Sequence, residues 1–129
     1  MARIERFEDV DAWQQARKLV QMIYQETAQG GFSRDFGLRD QLRRAAVSIM
    51  ANIAEGFDSG STREFLRFLT HALRSTTEVQ SHLYVAIDQR YLEQHTFHSL
   101  YDLSVRVKSI ISGFMRYLRS TSQPSNVER

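Results

Sequence analysis

No cysteine occurs among the 129 residues. That excludes a disulfide scaffold, a thiolate zinc site and a cysteine nucleophile. Proline occurs once, at Pro124, so nothing in residues 1–123 forces a break in a helix. Glycine is sparse, and five of the six fall in two clusters, Gly30-Gly31…Gly37 and Gly56…Gly60. The longest stretch without a charged side chain is Ala45–Ala54, about half of what a membrane-spanning helix needs. The opening residues Met1-Ala-Arg-Ile-Glu-Arg6 lack the apolar run of a secretory signal. The expectation is one cytoplasmic domain with no membrane partner. Strict strand alternation and Asn-Gly or Asp-Gly hairpin turns are absent too.

What is present reads as helix. Hydrophobic residues make up 42% and charged residues 25%, close to a globular average. In the first segment Val10, Trp13, Ala16, Val20, Ile23 and Thr27 recur at helical spacing. Leu38, Leu42, Ala45, Ile49 and Ile53 do so in the second, and Phe65, Leu69, Ala72, Val79, Leu83 and Ala86 in the third. The fourth runs through Leu100, Leu103, Val107, Ile110, Phe114 and Leu118. Ser61…Glu64 has the form of a capping box that opens the third helix. A single helix from Ser61 to Ser120 would be about 90 Å long, too long for a compact domain. A third joint is therefore placed near Asp88–Gln94, although it has neither glycine nor proline. Residues 1–120 are expected to form an all-α, up-down-up-down four-helix bundle with helices at about 9–29, 37–56, 61–88 and 95–119, and residues 121–129 a disordered polar tail.

Lys and Arg total 17 against 15 Asp and Glu, a net charge of +2, which does not by itself point to nucleic acid. Lys18 and Lys108 are the only lysines. The arginine excess suits bidentate contacts with carboxylate or phosphate, and a bias in codon usage explains it equally well. Residues 103–129 hold five basic groups against the single acid Glu128. Arg63, Arg67, His71 and Arg74 recur as one stripe on the third helix, and Lys108, Ser112, Arg116 and Arg119 as another on the fourth. The arginines and Lys108 are the candidate nucleic-acid contacts, for RNA or DNA. Each stripe also has the pattern of a solvated helix face.

The middle helices carry more apolar residues than one bundle core requires, so association with further copies is expected. Phe57, Phe68 and Leu73 are the candidate interface. A second polar pattern, Gln41, Arg44, Ser48, Asn52 and Glu55, lies along one side of the second helix, with Ser75 and Glu78 in related positions on the third. If the two helices are antiparallel about the Phe57–Ser61 joint, Gln41 faces Glu78 and Arg44 faces Ser75. These residues read either as a binding cluster or as an inter-helix network that fixes register, and the network is favoured because buried charges must be paired.

Enzyme chemistry finds no foothold. No glutamate has a histidine three residues later, as di-iron bundles require. His95, His98 and Asp102 are spaced one turn apart but read as solvated face residues. Gly56-Phe-Asp-Ser-Gly60 lacks the Lys-Ser/Thr of a phosphate loop. No catalytic residue, metal or cofactor is expected.

The segments Phe7-Glu-Asp-Val-Asp-Ala-Trp13-Gln-Gln-Ala16, Gly37-Leu-Arg-Asp-Gln41-Leu-Arg-Arg44-Ala-Ala-Val-Ser48-Ile49, Asn52-Ile-Ala-Glu-Gly56 and Ser61…Glu64-Phe65…Phe68-Leu69…Ser75…Glu78 resemble a bacterial four-helix-bundle family. Its members are named for proteins encoded in intervening sequences of ribosomal RNA genes. Accessory variability proteins of diversity-generating retroelements belong to the same superfamily. The resemblance spans about residues 7–118. It implies an antiparallel bundle assembled as a ring-shaped homopentamer. By analogy with the retroelement members, it also implies contact with nucleic acid and with a reverse transcriptase or other protein. The function expected is a non-enzymatic, oligomeric, nucleic-acid-associated accessory protein, with a protein–protein interaction scaffold as the alternative.

Overall fold

In the computed structural model, which describes residues 3–121, a 3-10 turn at Phe7–Asp9 leads into five α-helices. They are α1 (Asp11–Thr27), α2 (Gly30–Arg34), α3 (Phe36–Phe57), α4 (Thr62–Asp88) and α5 (Gln94–Thr121). Among the described residues there is no strand. Residues 122–129, where most of the expected disordered tail falls, lie outside the described residues, and Thr121 itself ends α5.

The entry turn is fixed locally. The Asp9 carboxylate accepts from the backbone N–H groups of Glu5 (3.0 Å) and Arg6 (3.3 Å), and Phe7 meets Trp13 edge to face at 5.2 Å. The first joint, read from sequence as a plain connection, contains α2. Gly30 sits at φ 52°, a left-handed conformation open to glycine at little cost. This turns the chain so that Phe32 is buried and stacks on Tyr91 at 5.1 Å. Asp35 caps α3 by accepting from the Leu38 N–H at 3.2 Å. Ser61 caps α4 by accepting from Glu64 N–H at 3.1 Å. The reciprocal half of the expected capping box is replaced, because the Glu64 carboxylate instead takes the Arg67 guanidinium at 2.9 Å.

Each long helix packs on the next in sequence, and α5 closes against α1. Bonds between Ser48 and Ser75 and between Gln80 and Ser104, with the Phe65–Phe114 ring contact, run antiparallel across the α3–α4 and α4–α5 seams. The result is a four-helix bundle around one core that includes Leu19, Ile23, Leu42, Ile49, Ile53, Leu69, Leu83, Leu100 and Ile111. Gly56 sets the α3–α4 approach: a Cβ there would lie 2.8 Å from both Phe65 Cδ1 and Phe68 Cβ.

The inward face of α5 departs from the sequence reading. Phe97, Leu100, Ser104, Val107, Ile111 and Met115 are buried, while Leu103, Ile110, Phe114 and Leu118 are only partly so. Apolar residues flank this stripe on both sides, and a serine at its centre hides its true axis. The third joint has its own device. The Arg90 and Tyr91 N–H groups return to the carbonyls of Ile87 (2.9 Å) and Ala86 (3.0 Å), a Schellman motif with arginine at the position usually held by glycine.

Candidate nucleic-acid interface

Helix α4 has α3 on one flank and α5 on the other, so one pole of it faces water. Arg63, Arg67 and Arg74 lie on that pole, and all three are exposed. Arg67 donates to Glu64 through two nitrogens (3.1 and 2.9 Å) and lies 4.8 Å over the Phe68 ring. Among the described residues Arg63 and Arg74 have no ion-pair or hydrogen-bond partner. Arg116 and Arg119 are exposed at the C-terminal end of α5. Antiparallel packing brings that end beside the start of α4, where Phe114 meets Phe65 at 5.3 Å.

Lys108 requires a correction. It is half-buried in the α4–α5 seam rather than on an outward stripe. Its Nζ donates to Gln80 Oε1 at 3.1 Å, Gln80 Nε2 donates to Ser104 Oγ at 3.1 Å, and Ser104 Oγ donates to the Tyr101 carbonyl at 2.6 Å. The buried Gln80 amide needs these partners, because an unbonded amide in the core is costly. Sequence reasoning passed over Gln80 and Ser104; the available signal was a polar residue at a core-facing position. The helix segments 62–77 and 103–121 hold seven basic residues and one acid, Glu64, with the exposed acids Glu78 and Asp102 at their borders. His71 and Ser112, the other stripe members, are half-buried.

The polar pattern between α3 and α4 is only partly a network. Ser48 and Ser75 hydroxyls bond at 2.9 Å, and Asn52 Nδ2 donates to the Ser48 carbonyl (2.9 Å) and Oγ (3.0 Å). Ser48 rather than Arg44 thus faces Ser75, a slip of about one turn from the expected register. Gln41, Arg44 and Glu55 are exposed and make no inter-helix bond among the described residues, and Glu78 pairs within its own helix with His82 at 3.2 Å. The expectation for these four is corrected: small residues bring the helices together, leaving the long polar side chains outside, where water satisfies them.

Phe57, Phe68 and Leu73 are half-buried. Phe57 meets Phe65 edge-on at 6.0 Å, and Phe68 packs at Gly56. The most exposed large apolar side chains are others, among them Phe36 (62%), Tyr117 (60%), Tyr84 (51%) and Val105 (47%).

At the opposite end from Arg116, a polar cleft of about 460 Å³ is bordered by Glu26, Gln29, Gly31, Arg90, Tyr91 and Glu93. Its charges are mixed. Tyr91 donates to Asp35 Oδ2 at 3.0 Å, and that bond, with burial second, raises the phenol above its ordinary pKa of 10.0. His95 lies 3.5 Å from Glu93, both highly exposed. Among the described residues no three histidine or carboxylate groups stand close enough to share a metal ion, and no helix is long and apolar enough to cross a membrane.

The sequence profile described as 23S rRNA-intervening sequence protein matches residues 8–113. The chain belongs to this family. Similarity in structure agrees: a crystal structure from Bacteroides thetaiotaomicron, described as a protein of unknown function from the S23 ribosomal protein family, superposes with a TM-score of 0.74. The two are 20% identical over 81% of this chain and 98% of that one, so the likeness is one of fold. No curated protein matches the chain. Within the 23S rRNA-intervening sequence family, the matched span covers all of α1 to α4 and ends at Gly113, inside α5.

Proposed function

We propose that the protein is a non-enzymatic accessory protein that associates with nucleic acid through the basic half-face of α4 and α5. The observation that carries this reading is the concentration of charge. A chain with a net charge of only +2 leaves five arginines, Arg63, Arg67, Arg74, Arg116 and Arg119, exposed on the neighbouring helices α4 and α5. Arginines there are exposed and offer planar donor pairs suited to phosphate oxygens. Contacts of this kind position a backbone without reading sequence. Such backbone contacts serve RNA and DNA alike, and RNA is the ligand used in the test.

The protein acts as a homo-oligomer in this reading, as the family resemblance implies, and a homopentamer presents the basic face five times. Phe57, Phe68 and Leu73 keep part of their surface for such an interface. The test is binding of RNA at about 50 mM salt. Wild-type protein retains RNA, and Arg116→Glu with Arg119→Glu loses it while helicity and oligomer mass stay the same. Absence of any retention by wild type overturns the reading. The interaction-scaffold alternative draws on Tyr24 and Val47, exposed by 42% and 41%. A protein partner, a reverse transcriptase among others, would then be the ligand.

A further inference from the structure

The α4–α5 seam changes character along its length. Near the start of α4 and the end of α5 it is arginine; near the other end it is aromatic. Tyr84, 51% exposed, lies 5.2 Å from Phe97 and 5.4 Å from Tyr101. Tyr101 stacks on Phe97 at 5.6 Å, and the exposed His98 meets Phe97 at 5.5 Å. Buried Phe97 is thus the floor of a cluster whose upper members, Tyr84, Tyr101 and His98, reach the surface. Val105, 47% exposed, extends the patch one turn toward Lys108. Tyr84 leaves half of its surface in water, and His98, against Phe97, is exposed as well.

Between the two zones stands Lys108. Its Nζ uses one of three N–H donors on Gln80, which holds the ammonium at the seam and leaves two donors free for a phosphate. From Tyr84 to Arg63 the seam spans about 31 Å of helix, enough for several nucleotides of extended strand.

We propose that this seam binds single-stranded nucleic acid, with the sugar-phosphate backbone on the arginines and Lys108 and unpaired bases stacked on the Tyr84, Tyr101 and His98 cluster. The proposal rests on the basic-face reading above and adds the form of the ligand. Charge complementarity names a polyanion, and the aromatic zone selects its unpaired form. In a duplex the base faces are already stacked on one another, whereas a single strand offers them to aromatic side chains. Backbone contacts and stacking together require no base sequence.

Fluorescence anisotropy at one fixed low salt tests it, using labelled oligouridylate, oligothymidylate and a blunt duplex of about 12 nucleotides, within the range of known single-strand sites. Both single strands are expected to bind at least about tenfold more tightly than the duplex, and Tyr84→Ala to weaken single-strand binding about tenfold while leaving duplex binding unchanged. Tyr84→Phe, which keeps the ring, retains wild-type affinity, and His98→Ala gives a second, smaller loss at an exposed site that folding does not need. Preference for one of the two single strands assigns RNA or DNA within the proposal. Equal binding of duplex and single strand, or equal loss for both in Tyr84→Ala, overturns the stacking proposal and leaves the basic face standing. If no oligonucleotide binds, both readings fall together.

Discussion

At Arg90 the backbone adopts φ 63°, a left-handed conformation that costs a residue with a Cβ about 1–2 kcal/mol. Glycine removes that cost but returns about 0.5–1 kcal/mol through the entropy of the unfolded chain. Arg90→Gly is therefore expected to raise stability by up to about 1 kcal/mol, seen as a thermal midpoint a few degrees higher. The same residue explains why the third joint was hard to read: the sequence holds no glycine there, so the chain reverses through a strained arginine. Arg44 teaches the opposite lesson. Its spacing with Ser48 and Asn52 suggests a buried ion pair, yet it is exposed and has no partner among the described residues. Arg44→Ala should then leave the unfolding free energy from urea titration within about 0.5 kcal/mol of wild type, and a loss of several kcal/mol would restore the buried-pair reading. Periodicity identified the side of α3, but it could not tell a packed position from the shoulder beside it. Ser48 is packed because its small side chain fits the close α3–α4 approach; Arg44 lies one turn away and outside it.

The helices themselves were the most legible level. Long apolar periodicity, the absence of proline from residues 1–123 and the Ser61 cap all act locally, so they can be read without knowing what the helix packs against. Helix α2 was not legible, since five residues show no period and Phe32 is held by a stacking partner 59 positions away. The inward face of α5 depends likewise on Gln80 of α4, which makes Ser104 a core residue. A long-range contact also fixes the start of α3: Tyr91 donates to the capping carboxylate of Asp35. The hydrogen bond requires the neutral phenol, so the folded-state pKa lies above 10.0 and the unfolded state loses its proton first. This contribution is complete below about pH 10 and is lost as pH rises through the folded-state value. Denaturation followed from pH 8 to pH 11 should show wild type losing more stability than Tyr91→Phe, which has no proton to lose; parallel curves would contradict the linkage.

At the scale of the whole molecule, charge and shape must be taken together. A single copy has little net charge, and its basic half-face is balanced by acids elsewhere on the bundle. Repetition in an oligomer strengthens the field of that face without changing the chain. Light scattering at micromolar concentration is expected to give about five times the 15.0 kDa chain mass; a mass near 15 kDa contradicts the assembly. The basic face was legible only as separate arginine spacings, because the antiparallel α4–α5 packing that joins them and draws Lys108 into the seam is tertiary. The measurement that tests the central claim most directly is the salt dependence of binding to a single-stranded oligonucleotide. Six basic groups, Arg63, Arg67, Arg74, Lys108, Arg116 and Arg119, each neutralising one phosphate predict a slope of log affinity against log salt of about −4.2 per chain engaged. A slope near zero, or no binding at about 50 mM salt, would contradict it.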